Sequence, residues 1–155
     1  MKKVFIFLFL ISFALIPHLV FALTVTVSDA TGLSGQRDIT VTVNVKGLES
    51  SKKIFGIDLC LDYNEKALSV TKVSQGALTS DWNILLNTNQ SGKVKIGLYS
   101  VKALKEKEGA ILVVTFAVKD KVSSRVTPLR LSLANFNEKP AEKIIDGKFK
   151  VSPKK

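Results

Sequence analysis

Along most of this chain apolar and polar residues alternate with a period of two, the repeat of a β-strand that buries one face. In the stretch Ile54–Gly76, Phe55, Ile57, Leu59, Leu61 and Tyr63 fall on one side, and Gly56, Asp58, Cys60 and Asp62 on the other. The polar group Asn64-Glu65-Lys66 reads as a turn, and Leu68, Val70 and Val73 as a second strand closed by Gly76. The stretch is therefore expected to form a hairpin at the centre of the fold, with one face in the core and the other offered to solvent or a partner. Upstream, Leu23–Val27 (LTVTV) and Ile39–Val45 (ITVTVNV) are β-branched alternations bounded by the glycine-bearing loops Thr31–Gly35 and Lys46-Gly47. Downstream, Asp81–Asn87 is a short apolar piece, and Lys93–Val101 sets Val94, Ile96 and Leu98 inward against Lys95, Gly97 and Tyr99 outward. Lys102–Glu108 reads as a flap or one helical turn. Ala110–Val118 is nearly all apolar, as in a strand covered on both faces or at the middle of a sandwich. Thr127–Leu133 and Ile144–Val151 are the last strands, separated by the polar loop Asn135–Lys143 with Pro140.

About nine strands with short connections and no long amphipathic helix predict an all-β, nine-stranded jelly-roll sandwich. The N-terminus follows a different pattern. Lys2 and Lys3 precede an apolar block from Val4 to Ile16, and Val20-Phe21-Ala22 offers short or small residues ahead of a cut. These are the marks of a secretory signal peptide over 1–22, with an uncleaved anchor as the alternative; the block is short for a membrane span and Pro17 and His18 interrupt it. A single domain over 23–152 and a short basic tail at 153–155 complete the expected organisation. The expected product is a secreted monomer, soluble or held at the cell surface, with no membrane span after cleavage.

The formal charge is +10, and losing Lys2 and Lys3 with the leader would leave +8. An acidic partner, an anionic wall polymer or solubility alone accounts for that excess, and the lysines are not interleaved with aromatics as a nucleic-acid surface would be. Cys60 is the single cysteine, so no disulfide forms within the chain, and His18, the single histidine, falls in the leader. The processed chain thus has no imidazole for a base, a nucleophile or a metal. Asp58 and Asp62 share one strand face, where they are either solvated carboxylates or a pair within reach of a common substrate or cation. No calcium loop or phosphate loop is present. Catalysis, a cofactor and a bound metal are not expected. Direct polysaccharide binding would need exposed rings to stack on sugars, for which Trp82 and Tyr99 are the candidates.

The run GIDLCLDYNEKALSVTKVSQGAL resembles the hallmark stretch of cohesin domains, an apolar strand ending in tyrosine followed by a leucine-valine strand and a glycine. KEGAILVVTFAVKD is similar to that family's glycine-led strand with its Thr-Phe pair, and IDGKFKV to its closing strand. LTVTV followed by SGQRDITVTVNV matches its opening. Together these pieces cover essentially 23–152. The resemblance implies a non-catalytic domain whose outer sheet face docks a dockerin, a small helical module that carries its own calcium. Asp58 matches a central-strand aspartate that contacts dockerin. Gly56 stands where an asparagine is expected, and Val101 where an acidic residue is. The expected partner-binding residues are Gly56, Asp58, Cys60, Lys95, Gly97 and Tyr99. A carbohydrate-binding module using Trp82 and Tyr99 is the alternative, and a structural or adhesion domain is a second one.

Overall fold

A computed structural model describes residues 22–49, 51–123 and 125–154. The expected leader, 1–22, lies outside the described residues apart from Ala22. The strands are β1 (Thr24–Val27), β2 (Ala30–Leu33), β3 (Ile39–Lys46), β4 (Gly56–Asp62), β5 (Leu68–Gln75) and β6 (Asn83–Asn87). They continue as β7 (Lys93–Tyr99), β8 (Gly109–Val118), β9 (Arg125–Phe136), β10 (Lys139–Pro140), β11 (Lys143–Ile145) and β12 (Gly147–Ser152). Among the described residues the only helix is the 3-10 turn Ala77–Thr79, and none is long and apolar enough to cross a membrane.

Two sheets face each other. One has the order β11-β1-β3-β8-β5; the other runs β2-β12-β9-β4-β7-β6, with β10 paired to β9. The period-two pattern explains the core between them. Val41, Val43, Leu112, Val114 and Phe116 point in from the first sheet, and Ile57, Leu59, Leu61, Leu98, Leu131 and Phe149 from the second, all buried. Phe116 reaches across: its ring lies edge-on to Tyr63 at 5.5 Å and to Phe149 at 6.0 Å.

The all-β sandwich expected from the alternation is what forms, and each of the nine expected strands is present. Beyond β2, which pairs with β12 at the expected loop Thr31–Gly35, three details differ. β4 and β5 do not form a hairpin: β4 pairs with β7 and β9 while β5 pairs with β8, so the chain changes sheets at the turn after Tyr63. There Ala67 and Leu68 both donate to the Asn64 carbonyl, and Lys119 donates to that of Ala67. The last expected strand is two, β11 and β12, again in different sheets. The break falls at Asp146, whose Oδ1 accepts from Leu131 N at 2.9 Å in place of a ladder partner. Gly147 then passes so close to β1 that an added Cβ would lie 2.6 Å from the Ser28 oxygen. Third, the loop expected over 135–143 contains a tight hairpin between β9 and β10, turning on Asn137 (φ 46°) and Glu138 (φ 67°), the two positive φ values that a two-residue hairpin of this hand requires. The Lys102–Glu108 segment is a flap without a helical turn, tied down where Leu104 donates to the Ile54 carbonyl and Leu48 to that of Lys107.

Candidate functional site

The outer face of the β9-β4-β7-β6 half-sheet brings most of the expected binding residues together. The antiparallel register sets Asp58 opposite Gly97 on β7 and Asn135 on β9, with Leu85 of β6 beyond Gly97. The next outward row is Leu133, Cys60, Lys95 and Asn87, and the row on the other side is Gly56, Tyr99 and Asn83. Asp58 is exposed, and among the described residues its carboxylate has no hydrogen-bond partner. It leans over Gly97: a methyl added there would sit 3.6 Å from Asp58 Oδ1 and 3.8 Å from Leu85 Cβ. The centre of the face is therefore flat, with one unengaged carboxylate, and its rim is apolar: Leu85 (63% exposed), Tyr99 (46%) and Leu133 (40%). Lys95 is exposed on the same face. A shallow concavity lined by Asp58, Leu85, Lys95, Gly97, Leu133 and Asn135 follows from this relief.

Three expected placements need correcting. Cys60 points outward with Asp58 but is only 7% exposed, because a short thiol between Leu133 and Lys95 on hydrogen-bonded neighbours is overtopped by both. It shapes the face by being small. Phe55, expected in the core, is 40% exposed, since β4 begins one residue later and the Phe55 N–H bonds the Asn137 side chain and not a strand. Trp82 is 4% exposed and packs in the core, with its carbonyl accepting from Gln75 Nε2 at 2.8 Å, so it offers no stacking platform for sugars. Tyr99 is the one of the two candidate rings that reaches solvent.

Asn137 is a site-forming residue that the sequence reading missed. Its Oδ1 accepts from the N–H groups of Phe55 (2.9 Å) and Gly56 (3.2 Å), and its Nδ2 donates to the Lys53 carbonyl, fixing the entry of β4 onto the face. The signal available was an asparagine inside the polar loop between the last two apolar runs, a residue type that tolerates positive φ.

The two aspartates of β4 take separate roles. Between Cys60 and Leu61 the register with β9 slips by one, leaving Ser132 as the extra residue. Its Oγ donates to Asp62 Oδ1 at 3.1 Å, Lys93 Nζ donates to the same oxygen at 2.7 Å, and the Cys60 thiol lies 3.6 Å away. Partial burial alone would push the Asp62 carboxyl up. The hydrogen bonds from Lys93 and Ser132, the lysine charge and the thiol outweigh it, holding Asp62 below the usual aspartate range. The Asp62 hydrogen bond and charge hold Lys93 above its own. A lowered carboxyl stabilises the fold above its unfolded value of about 3.9, and that contribution is lost as pH falls through the lower folded value. Asp62→Asn should therefore reduce Tm across neutral pH, and the gap to the unaltered protein should close in acid below about pH 3.9; a gap that does not change with pH would show that the carboxylate charge is not what stabilises this corner. Among the described residues no cluster of side chains is suited to hold a metal ion.

The sequence matches the model of the cohesin domain over residues 23–152. No curated protein sequence matches it. Among solved structures, the fold is similar to a non-cellulosomal cohesin of the archaeon Archaeoglobus fulgidus, at 21% identity and TM-score 0.68, over 84% of this chain and 91% of that one. It is also similar to a type I cohesin of Clostridium thermocellum solved in complex with a dockerin, at 18% identity and TM-score 0.73, over 86% of this chain and 96% of that one. The sixth cohesin of scaffoldin B from Acetivibrio cellulolyticus, solved with a doubly substituted Cel5 dockerin, aligns at 17% identity and TM-score 0.74, over 84% of this chain and 99% of that one.

Proposed function

This chain belongs to the cohesin family, and from that premise we propose that it is an exported, non-catalytic module that captures a dockerin-like partner on the outer face of the β9-β4-β7-β6 half-sheet. The observation that carries the reading is the contrast between the two outer faces. β3 and β8 present Thr40, Thr42, Asn44 and Thr115 outward, and among the described residues no large apolar side chain is exposed on β3, β5 or β8; the exposed Ile144 and Ile145 of that sheet lie on its short edge strand β11. The opposite face gathers Leu85, Leu133 and Tyr99 around Asp58. An apolar rim around a central acceptor is the composition of a protein-docking surface. Gly56 and Gly97 let a partner's backbone approach, Asp58 accepts its hydrogen bonds, and Lys95 sets charge at the edge. Calcium belongs to the partner. The basic, apolar N-terminal segment supports export, with Leu23 as the first residue of the processed chain.

Protein recovered from culture medium, with a mass that begins at Leu23, provides the test. Immobilised, it should retain a calcium-loaded dockerin and release it on chelation, and it should pass through insoluble cellulose unretarded. Retention on the polysaccharide that ignores chelation, with no dockerin capture, would replace this reading with direct carbohydrate binding through Tyr99. Neither property would leave a structural or adhesion domain.

A further inference from the structure

The seven-stranded sheet ends at β6, and among the described residues the backbone ladder of Asn83–Asn87 is made with β7 alone. Open sheet edges are ordinarily guarded by lysine, proline or a bulge, because their free N–H and C=O groups would otherwise pair with another strand. Among the described residues the other three edges carry such devices. β11 is three residues beginning with Lys143 and β2 is four, short strands even though Ile144, Ile145 and Leu33 are exposed on them, and β5 carries Lys72 beside a register shift. β6 has no such device. Its five residues, Asn83-Ile84-Leu85-Leu86-Asn87, contain no charge and no proline, its register with β7 is unbroken, and Leu85 and Leu86 are both exposed.

The same five residues read almost identically in both directions. An antiparallel copy related by a two-fold axis through Leu85 would set Asn83 against Asn87, Ile84 against Leu86, and Leu85 against itself. That is the self-complementarity an isologous interface demands: amide pairs at both ends, aliphatic pairs between them, and no charges in opposition. We infer that β6 is a homotypic docking edge, where two copies of this chain join their seven-stranded sheets into one. Leu85 also stands beside Gly97 at the rim of the proposed docking face, so the pairing would set two such faces side by side on a continuous sheet. The inference rests on the free edge and its pattern, independent of what the face binds. Five residues per copy cover less than the roughly 1,000 Å² of a stable interface, so the association is weak and concentration-dependent. The net positive charge of each copy opposes it, and added salt strengthens it.

Sedimentation over about two decades of concentration should show the average mass of the unaltered protein rising toward twice that of one chain. Leu85→Lys places like charges across the axis, as does Leu85→Glu, and each variant should remain a monomer throughout that range. The side chain is largely exposed, so both fold, which circular dichroism verifies. An equimolar mixture of the two should dimerise again, since opposite charges then meet on the axis. A strictly monomeric unaltered protein, or dimers that persist in both single variants, would overturn the inference. A mixture that stays monomeric would overturn the two-fold register through Leu85.

Discussion

Replacing Phe116 with alanine should remove about 3–5 kcal/mol of unfolding free energy, a large share of the 5–15 kcal/mol typical of one domain. The ring is fully buried on β8, between Ile39 and Val70 on the neighbouring strands, and it meets Tyr63, just past the end of β4, and Phe149 of the opposite sheet edge-on. Truncation leaves a ring-sized hole where the two sheets are joined, and it also deletes both aromatic pairs, each worth about 0.5–1.5 kcal/mol beyond burial. The neighbours belong to hydrogen-bonded strands and have little freedom to collapse into the space. Tm should fall by about 10 °C or more. Phe55→Ala is the matched comparison: the same atoms leave a half-exposed position, and the cost should stay near 1 kcal/mol or below. Equal losses at the two positions would mean that Phe55 belongs to the core after all and that the sandwich extends past the start of β4.

That comparison marks where the sequence was legible. Alternation states which face of a strand is buried, and it placed Ile57, Leu59, Leu61, Val94, Ile96 and Leu98 correctly because their inner face meets another sheet. It says nothing about where a strand ends, so Phe55, in phase with Ile57 but one residue outside the ladder, was read as core. Pairing partners were equally hidden. The turn after Tyr63 has the length and polarity of a hairpin loop, and a chain that crosses between sheets there uses the same residues. Only the non-local register, β4 with β7 and β9, distinguishes the two, and no short window carries it. At Asp146-Gly147 a local signal did exist, since that dipeptide is a turn marker inside an apparent strand. For the site, period two put Asp58, Lys95, Gly97 and Tyr99 outward, and the register then made them neighbours. Burial of Cys60 depends on the height of Leu133, a residue more than seventy positions away in sequence.

Asp58→Ala should weaken dockerin binding by about 2 kcal/mol or more, roughly thirtyfold in Kd, while thermal stability stays within about 0.5 kcal/mol. The two halves of that expectation have one structural source. Asp58 is exposed, and among the described residues it makes no side-chain hydrogen bond or ion pair, so the fold has little to lose with it. A carboxylate left without partners at the centre of a flat face keeps its full capacity to accept hydrogen bonds, and an incoming apolar rim contact with Leu85, Leu133 and Tyr99 would exclude water around it. Hydrogen bonds to an ionised acceptor strengthen as water leaves, so the energetic weight concentrates at this position and not on Lys95 at the edge. Asp58→Asn keeps the shape and one acceptor oxygen but not the charge, and it should fall between the unaltered protein and the alanine variant. Measured with the domain dilute enough to be monomeric, an affinity within about twofold for Asp58→Ala would remove this carboxylate from the interface. A loss that tracks a falling Tm would instead show that Asp58 supports the sheet, and the docking surface would then have to be sought away from β4.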